Sequence, residues 1–214
     1  MSLFPLAALA VPGRPALALD GAAVDGDLYT SVTGLAQRAP GWLDSAVSGW
    51  STYGLGLFGV LMLAAWWRAR PGAAARTAMA MAAPLVVLLA FLLDTGLKSV
   101  VREQRPCQTL RTLTLEACPP LGDWSFPSNH AAIAAAAAAA LWAVDRRLGA
   151  IAVPAALLMA FSRVWVGAHY PHDVLLGLLV GAAVGWPLTR LARRAAPLVE
   201  RLRGTALRPL VAAG

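Results

Sequence analysis

His169 and Asp173 stand four residues apart with Pro171 between them, a spacing suited to acid–base chemistry. Proline is favoured at the first position of a helix, so a helix should begin at Pro171 or His172, with Asp173 in its first turn. From there the carboxylate can turn back onto the His169 imidazole. A carboxylate on one ring nitrogen orients the other and stabilises the charged ring. His130 is then suited to the complementary task of protonating a leaving oxygen. Lys98, Arg105 and Arg163 supply three cations for one polyanion: arginine brings a planar fork matched to phosphate oxygens, lysine a movable point charge.

The segment Pro127-Ser128-Asn129-His130 runs directly into an apolar stretch. Its backbone N–H groups should therefore open a helix, which is where anions bind. Ser128 and Asn129 are also good N-cap residues, and taken alone Ser128 reads as a plain cap. Asp94 precedes Lys98 by four residues, which allows a local ion pair, or a lysine aimed at the anion with Asp94 positioning it. His172 reads as an ordinary polar residue at an interface.

The elements that carry these groups are strongly apolar. Of 214 residues, 58% are hydrophobic and only 14% charged, and the mean hydropathy is +0.62. Soluble domains carry about 25% charged residues. This composition argues against a soluble enzyme, a disordered chain and a disulfide-stapled secreted module, and for one integral membrane unit. The net charge of +7 comes from 18 basic residues, all but one of them Arg. Most lie in short clusters between apolar stretches, as topology signals do, rather than on a basic face with interleaved aromatics. No nucleic-acid partner is expected.

Five apolar stretches, at 50–67, 77–97, 127–144, 148–168 and 174–189, approach the ~20 residues a helix needs to cross a bilayer, the last being slightly short. They lack the alternation of a barrel, so the expected fold is all-α: a polytopic bundle of about five to six transmembrane helices. Arg68, Arg70 and Arg76, then Arg146 and Arg147, then the C-terminal arginines all fall on one side, which the positive-inside rule makes cytoplasmic. The ionisable residues gather at the other, extracytoplasmic end. Three segments are expected: an interfacial N-terminal part (1–49), a membrane-embedded core (50–190) and an Arg-rich cytoplasmic tail (191–214). Residues 28–47 read as an interfacial helix. The first 19 residues are open between an interfacial stretch, a poor extra span and a signal peptide. Cys107 and Cys118 share the long extracytoplasmic loop, where a disulfide would staple a segment with few other anchors.

Lys98-x6-Arg105-Pro106, Pro127-Ser128-Asn129-His130 and Ser162-Arg163-x5-His169-x3-Asp173 resemble the three signature motifs of the type-2 phosphatidic acid phosphatase family. Its superfamily includes glucose-6-phosphatase and the soluble vanadium haloperoxidases. The resemblance covers about a third of the chain, from Lys98 to Asp173. It implies that Lys98, Arg105, Ser128, Asn129 and Arg163 bind phosphate and that His169 is the nucleophile of a phospho-histidine intermediate. By the same resemblance Asp173 orients His169, His130 protonates the leaving group, and neither metal nor other cofactor is required. Asn129 departs from the usual glycine. Asn tolerates unusual backbone angles best among the other residues, so the turn is expected to survive with an altered leaving-group preference.

The resulting expectation is a lipid phosphatase in a bacterial plasma membrane with its site facing outward, acting on a lipid phosphate or diphosphate. Undecaprenyl diphosphate is the favoured substrate. Phosphatidylglycerophosphate, phosphatidic acid, a phosphotransferase of the same family and a non-catalytic anion-binding or transport protein are the alternatives. The run 131–140, alanine except for Ile133, reads as a packing face.

Overall fold

The computed structural model describes residues 19–212, and every regular element among them is helical. The order is α1 (Gly21–Ala36), α2 (Gly41–Tyr53), α3 (Leu55–Ala69), α4 (Ala74–Val101), the single turn α5 (Pro106–Thr109), α6 (Asn129–Val144), α7 (Arg146–Trp165) and α8 (Pro171–Ala192). A 3-10 turn leads on to α9 (Ala196–Arg203) and α10 (Arg208–Val211). Helices α4, α7 and α8 are long and apolar enough to cross a membrane, and α2 with α3 qualifies as a bent pair. At 16 residues α6 is shorter, about 24 Å at 1.5 Å per residue.

Each apolar stretch expected from the sequence falls on these helices, with three differences. The first stretch is not one rod: α2 and α3 meet at an angle of 51°. Gly54 sits at that break, where a Cβ would come within 2.8 Å of both the Met159 methyl and the Trp50 ring, so α7 and the end of α2 leave no room for a side chain. The interfacial helix expected at 28–47 is two helices, because the chain turns at 37–40 and Pro40, with its φ locked, precedes α2. The last helix is longer than its apolar stretch, at 22 residues, since Pro171 opens it three residues earlier and it runs on to Ala192. Residues 1–18, which carry most of the open N-terminal segment, lie outside the described residues.

α6 forms the centre, packed on α4, α7 and α8. Ala131, Ala132, Ala136, Ala137 and Ala140 are wholly buried. Facing them on α8 are Gly177, Gly181 and Gly185, one per turn. A Cβ at Gly177 would lie 2.6 Å from the Ser128 carbonyl oxygen, one at Gly185 2.6 Å from that of Ala136, and one at Gly181 would meet the Ala132 carbonyl. The two backbones are therefore in direct contact, as small residues permit between apolar helices. This contact brings the start of α6 beside the start of α8, and the Ser128 N–H donates to the Asp173 carbonyl at 3.1 Å.

The opposite end of the bundle is tied by Asp145. Its carboxylate caps α7 by accepting from the Arg147 N–H at 2.9 Å. It also accepts from Arg68 at 2.9 Å and Arg76 at 3.0 Å. Burial alone would raise this carboxyl, but the Arg68 hydrogen bond and the Arg147 and Leu148 N–H groups hold it below the usual carboxylate range. The C-terminal segment folds back onto this end: Val199 and Val211 pack on Ala74 and Ala78, and Arg203 donates to the Gly72 carbonyl at 2.7 Å.

Forcing α6 and α8 apart should therefore damage the whole bundle. Gly181→Leu is expected to lower stability by about 1–3 kcal/mol or more, as overpacking does. Thermal unfolding of the purified protein in detergent measures this, and an unchanged midpoint would contradict the close contact.

Candidate active site

The ends of four helices converge at one end of the bundle. The last turn of α4 carries Lys98, the first turn of α6 His130, the last turn of α7 Arg163 and the first turn of α8 Asp173. Arg105 immediately precedes α5, and His169 lies in the turn between α7 and α8. A cavity of about 380 Å³ is lined by Lys98, Arg105, Asn129, His130, Arg163 and His169, together with Phe91, Ile133, Glu116 and Asp123. Residues from Phe91 to His169 thus share one wall.

His169 is held from behind. Its Nδ1 lies 3.3 Å from Asp173 Oδ2 and 3.4 Å from the Ser125 hydroxyl. Asp173 Oδ2 also accepts from the Tyr170 N–H at 2.8 Å and from the Ser125 hydroxyl. Nε2 is on the other side of the ring, 3.4 Å from Arg105 Nη1. The turn that presents it is tight: the Ala168 and His169 N–H groups both donate to the Arg163 carbonyl, at 3.0 and 3.2 Å. Gly167 makes this possible with a φ of 84°, a region that side chains disfavour. Burial, reinforced by the charges of Arg105, Lys98 and Arg163, pushes His169 well below its ordinary value of 6.5. The ring is therefore neutral around pH 7.

Two of the three cations are clamped. Arg105 donates from Nη1 to the Ala168 carbonyl at 2.9 Å, from Nε to the Asp123 carbonyl at 3.0 Å and from Nη2 to the Asp123 carboxylate at 2.9 Å. Arg163 donates from Nη1 to Glu116 at 3.0 Å and to the Ser51 hydroxyl, while its buried Nε has no partner among the described residues. Lys98 forms no ion pair with Asp94. Both Asp94 carboxylate oxygens are buried and unpartnered among the described residues. Ser128 stands at the N-cap of α6, yet its side chain makes no capping bond. Its hydroxyl is buried without a partner among the described residues, so the plain cap expected of Ser128 alone is not formed. Buried donors are normally satisfied, but Ser128, unlike Asn129 and His130, does not line the cavity.

The wall of the cavity is completed by the loop after α4. Cys107 and Cys118 are bonded, with Cα atoms 5.9 Å apart. The Leu115 and Glu116 N–H groups donate to the Val166 carbonyl at 3.2 and 3.3 Å, tying the loop to the end of α7. Ser51, Glu116, Asp123 and Ser125 escaped the sequence reading. The available signal was a charge imbalance: cations buried at one end of an apolar bundle require carboxylates, and this loop carries them. Ser51 had no such signal, since only folding brings α2 to Arg163.

Residues 79–196 match the PAP2 superfamily. The chain is 39% identical over 100 residues to "Undecaprenyl-diphosphatase BcrC" of Bacillus subtilis (strain 168), covering 46% of this chain and 50% of that protein. It is 39% identical over 90 residues to "Decaprenylphosphoryl-5-phosphoribose phosphatase" of Mycobacterium tuberculosis (strain ATCC 25618 / H37Rv), covering 42% and 48%. The chain thus spans about half the length of these curated relatives. The crystal structure of Aquifex aeolicus LpxE superposes with a TM-score of 0.61 at 25% identity, over 78% of this chain and 94% of that one. The matched segment holds Lys98, Arg105, His130, Arg163, His169 and Asp173 and exceeds half of the chain, which therefore belongs to the PAP2 superfamily.

Proposed function

We propose that this chain is an integral membrane phosphatase that hydrolyses the terminal phosphate of a lipid phosphate or diphosphate, with undecaprenyl diphosphate as its best substrate. One observation carries the reading: His169, held at Nδ1 by Asp173, stands with Lys98, Arg105, Arg163 and His130 around a single cavity. The likeness to undecaprenyl-diphosphatases of Bacillus subtilis and Sulfolobus acidocaldarius favours a prenyl diphosphate. The short lipid A 1-phosphatase matches keep a saccharide-linked lipid phosphate as a second candidate.

The three cations and the Ser128 and Asn129 region bind the phosphoryl oxygens. His169 Nε2 attacks phosphorus, forming an N–P bond as the P–O bond to the lipid breaks. The negative charge of the bound phosphate offsets the cations, so His130 takes up a proton from solvent and gives it to the departing oxygen. Neutral His130 then takes a proton from water as that water attacks phosphorus. The new P–O bond forms as the N–P bond to His169 breaks, which releases inorganic phosphate and frees His169, and the proton left on His130 serves the next turnover. The cations stabilise charge on the equatorial oxygens, so positioning and electrostatics supply most of the catalysis. Phe91 and Ile133 give the cavity an apolar side suited to the start of a lipid tail. The site stands at the end away from Arg68, Arg76 and the arginines of the C-terminal segment, so the positive-inside rule supports a five-span, outward-facing arrangement in a bacterial plasma membrane.

Phosphate release from undecaprenyl diphosphate, phosphatidylglycerophosphate, phosphatidic acid and lipid A tests this directly. Wild type should release phosphate fastest from undecaprenyl diphosphate, and His169→Ala should lose at least ~10³-fold in kcat while remaining folded. Retained activity in that variant would remove His169 as nucleophile, and a faster saccharide lipid would replace the substrate. His130→Ala should slow substrates with poor leaving groups most, with losses of about 10²–10⁴-fold. An equal loss for all leaving groups would end the proton-donor role.

Because His169 is held below 6.5, it stays unprotonated as the pH falls through that value. The acid limb of kcat/KM should accordingly lie below pH 6.5, and a limb above it would contradict the cationic surroundings. Glu116→Gln should weaken the hold on Arg163 and raise KM about tenfold. An unchanged KM would deny Glu116 a positioning role.

A further inference from the structure

Behind the catalytic wall lies a second cluster of ionisable groups that the phosphate chemistry does not use. Glu103, in the segment after α4, and His172, on the first turn of α8, meet Asp173 from the side opposite His169. His172 Nε2 lies 3.1 Å from both Glu103 carboxylate oxygens and 3.5 Å from Asp173 Oδ1. One ligand atom from each of the three residues lies within 4.8 Å of the other two. Glu103 is 1% exposed and Asp173 fully buried. Neither they nor His172 line the phosphate cavity.

Two observations point to a ligand here. Asp173 uses Oδ2 for His169, Ser125 and Tyr170, but its buried Oδ1 has no hydrogen-bond partner among the described residues and is aimed at the cluster. Independently, Asp25 of α1 accepts from the His172 backbone N–H at 2.7 Å and faces Nδ1 of the ring at 2.8 Å. That contact keeps Nδ1–H as a donor to Asp25 and turns Nε2 toward Glu103 and Asp173. Nε2 is thus the nitrogen that can exchange its proton for a metal, the arrangement in which a carboxylate orients a metal-bound imidazole. The Tyr170 ring stacks on His172 with centroids 5.5 Å apart, and Phe126 lies 5.7 Å away, so the cluster is walled by aromatic faces.

We propose that Glu103, His172 and Asp173 bind one divalent transition-metal ion of the Zn²⁺ or Mn²⁺ type. One imidazole nitrogen and two carboxylates suit such ions. Metal–ligand bonds of about 2.0–2.2 Å put neighbouring ligands about 3.0–3.5 Å apart, and the distances from Nε2 are 3.1 and 3.5 Å. Binding displaces any proton on Nε2 to solvent and forms one metal–nitrogen and two metal–oxygen bonds. Three carboxylates meet at this ring, so a divalent ion also balances more of the buried charge than a single proton does. The ion lies outside the phosphate cavity, against the Asp173 oxygen that His169 does not use, and takes no part in the phosphoryl-transfer steps. Nothing in this site depends on the phosphatase reading.

Purified protein should be stripped with a strong chelator, dialysed, and titrated with Zn²⁺ and separately with Mn²⁺, with bound metal measured by mass spectrometry. Wild type should retain about one equivalent per chain, with a thermal midpoint raised by about 4 °C. His172→Gln and Glu103→Gln should lose the metal, whereas His169→Ala should keep it. X-ray absorption of the Zn²⁺ form, a readout independent of activity and of the variants' folding, should show a nitrogen/oxygen shell with one imidazole. Wild type that holds less than about a tenth of an equivalent and shows no thermal shift would overturn the site and make the cluster a protonated imidazole bridge. Metal kept by His172→Gln but lost from His169→Ala would place the ion in the phosphate cavity instead.

Discussion

Positive charge inside an apolar bundle is the constraint on which the site depends. Three cations must face one cavity without a substrate present, and each raises the cost of the others. The solution is unequal. Arg105 is neutralised by Asp123 and bound by two carbonyls, Arg163 is held by Glu116 and Ser51, and Lys98 has no ion-pair partner among the described residues. Guanidinium groups suit this division because one edge can be tied while another is left for an anion. Burial, reinforced by the same charges, keeps His169 neutral, so a cationic wall and an uncharged imidazole arise from one arrangement.

That arrangement needs helix ends at fixed separations, and the bundle achieves this with very little side-chain bulk. Ala132 and Ala136 on α6 and Gly181 and Gly185 on α8 put the two backbones in contact over several turns. Rotation of either helix would drive a Cβ into a carbonyl oxygen. The Ser128–Asp173 backbone bond then joins the two helix starts directly, and Asp145 with Arg68 and Arg76 ties the other end. The loop bearing Glu116 and Asp123 is fastened by the Cys107–Cys118 bond and by its hold on Val166. N-terminal α1 completes the rear of the site, since Tyr29 donates to the Gly167 carbonyl at 3.1 Å and Asp25 meets His172.

Much of this is legible in the residues alone. Apolar length and arginine placement announce the helices, and Pro171 announces where α8 starts, because lipid solvation and a fixed φ act locally. His169 and Asp173 are one helical turn apart, so their pairing follows from spacing. Lys98, Arg105, His130 and Arg163 are legible as a set because charges are costly in an apolar helix unless gathered at one end. The break at Gly54, the two-helix N-terminal segment and the uncapped Ser128 are not, since each depends on what packs alongside.

The division follows from range. Chemistry encoded within one turn of helix, or imposed on each segment by an apolar surrounding, is present in the order of residues. The counter-charges of the site are different: Ser51, Glu116, Asp123 and Ser125 reach Arg163, Arg105 and Asp173 across 18 to 112 positions. So do Asp25 and Glu103 in reaching His172, across 147 and 69 positions. No local rule pairs such distant residues. They meet because α6 and α8 close backbone to backbone and leave α1, α2 and the bridged loop one place to pack.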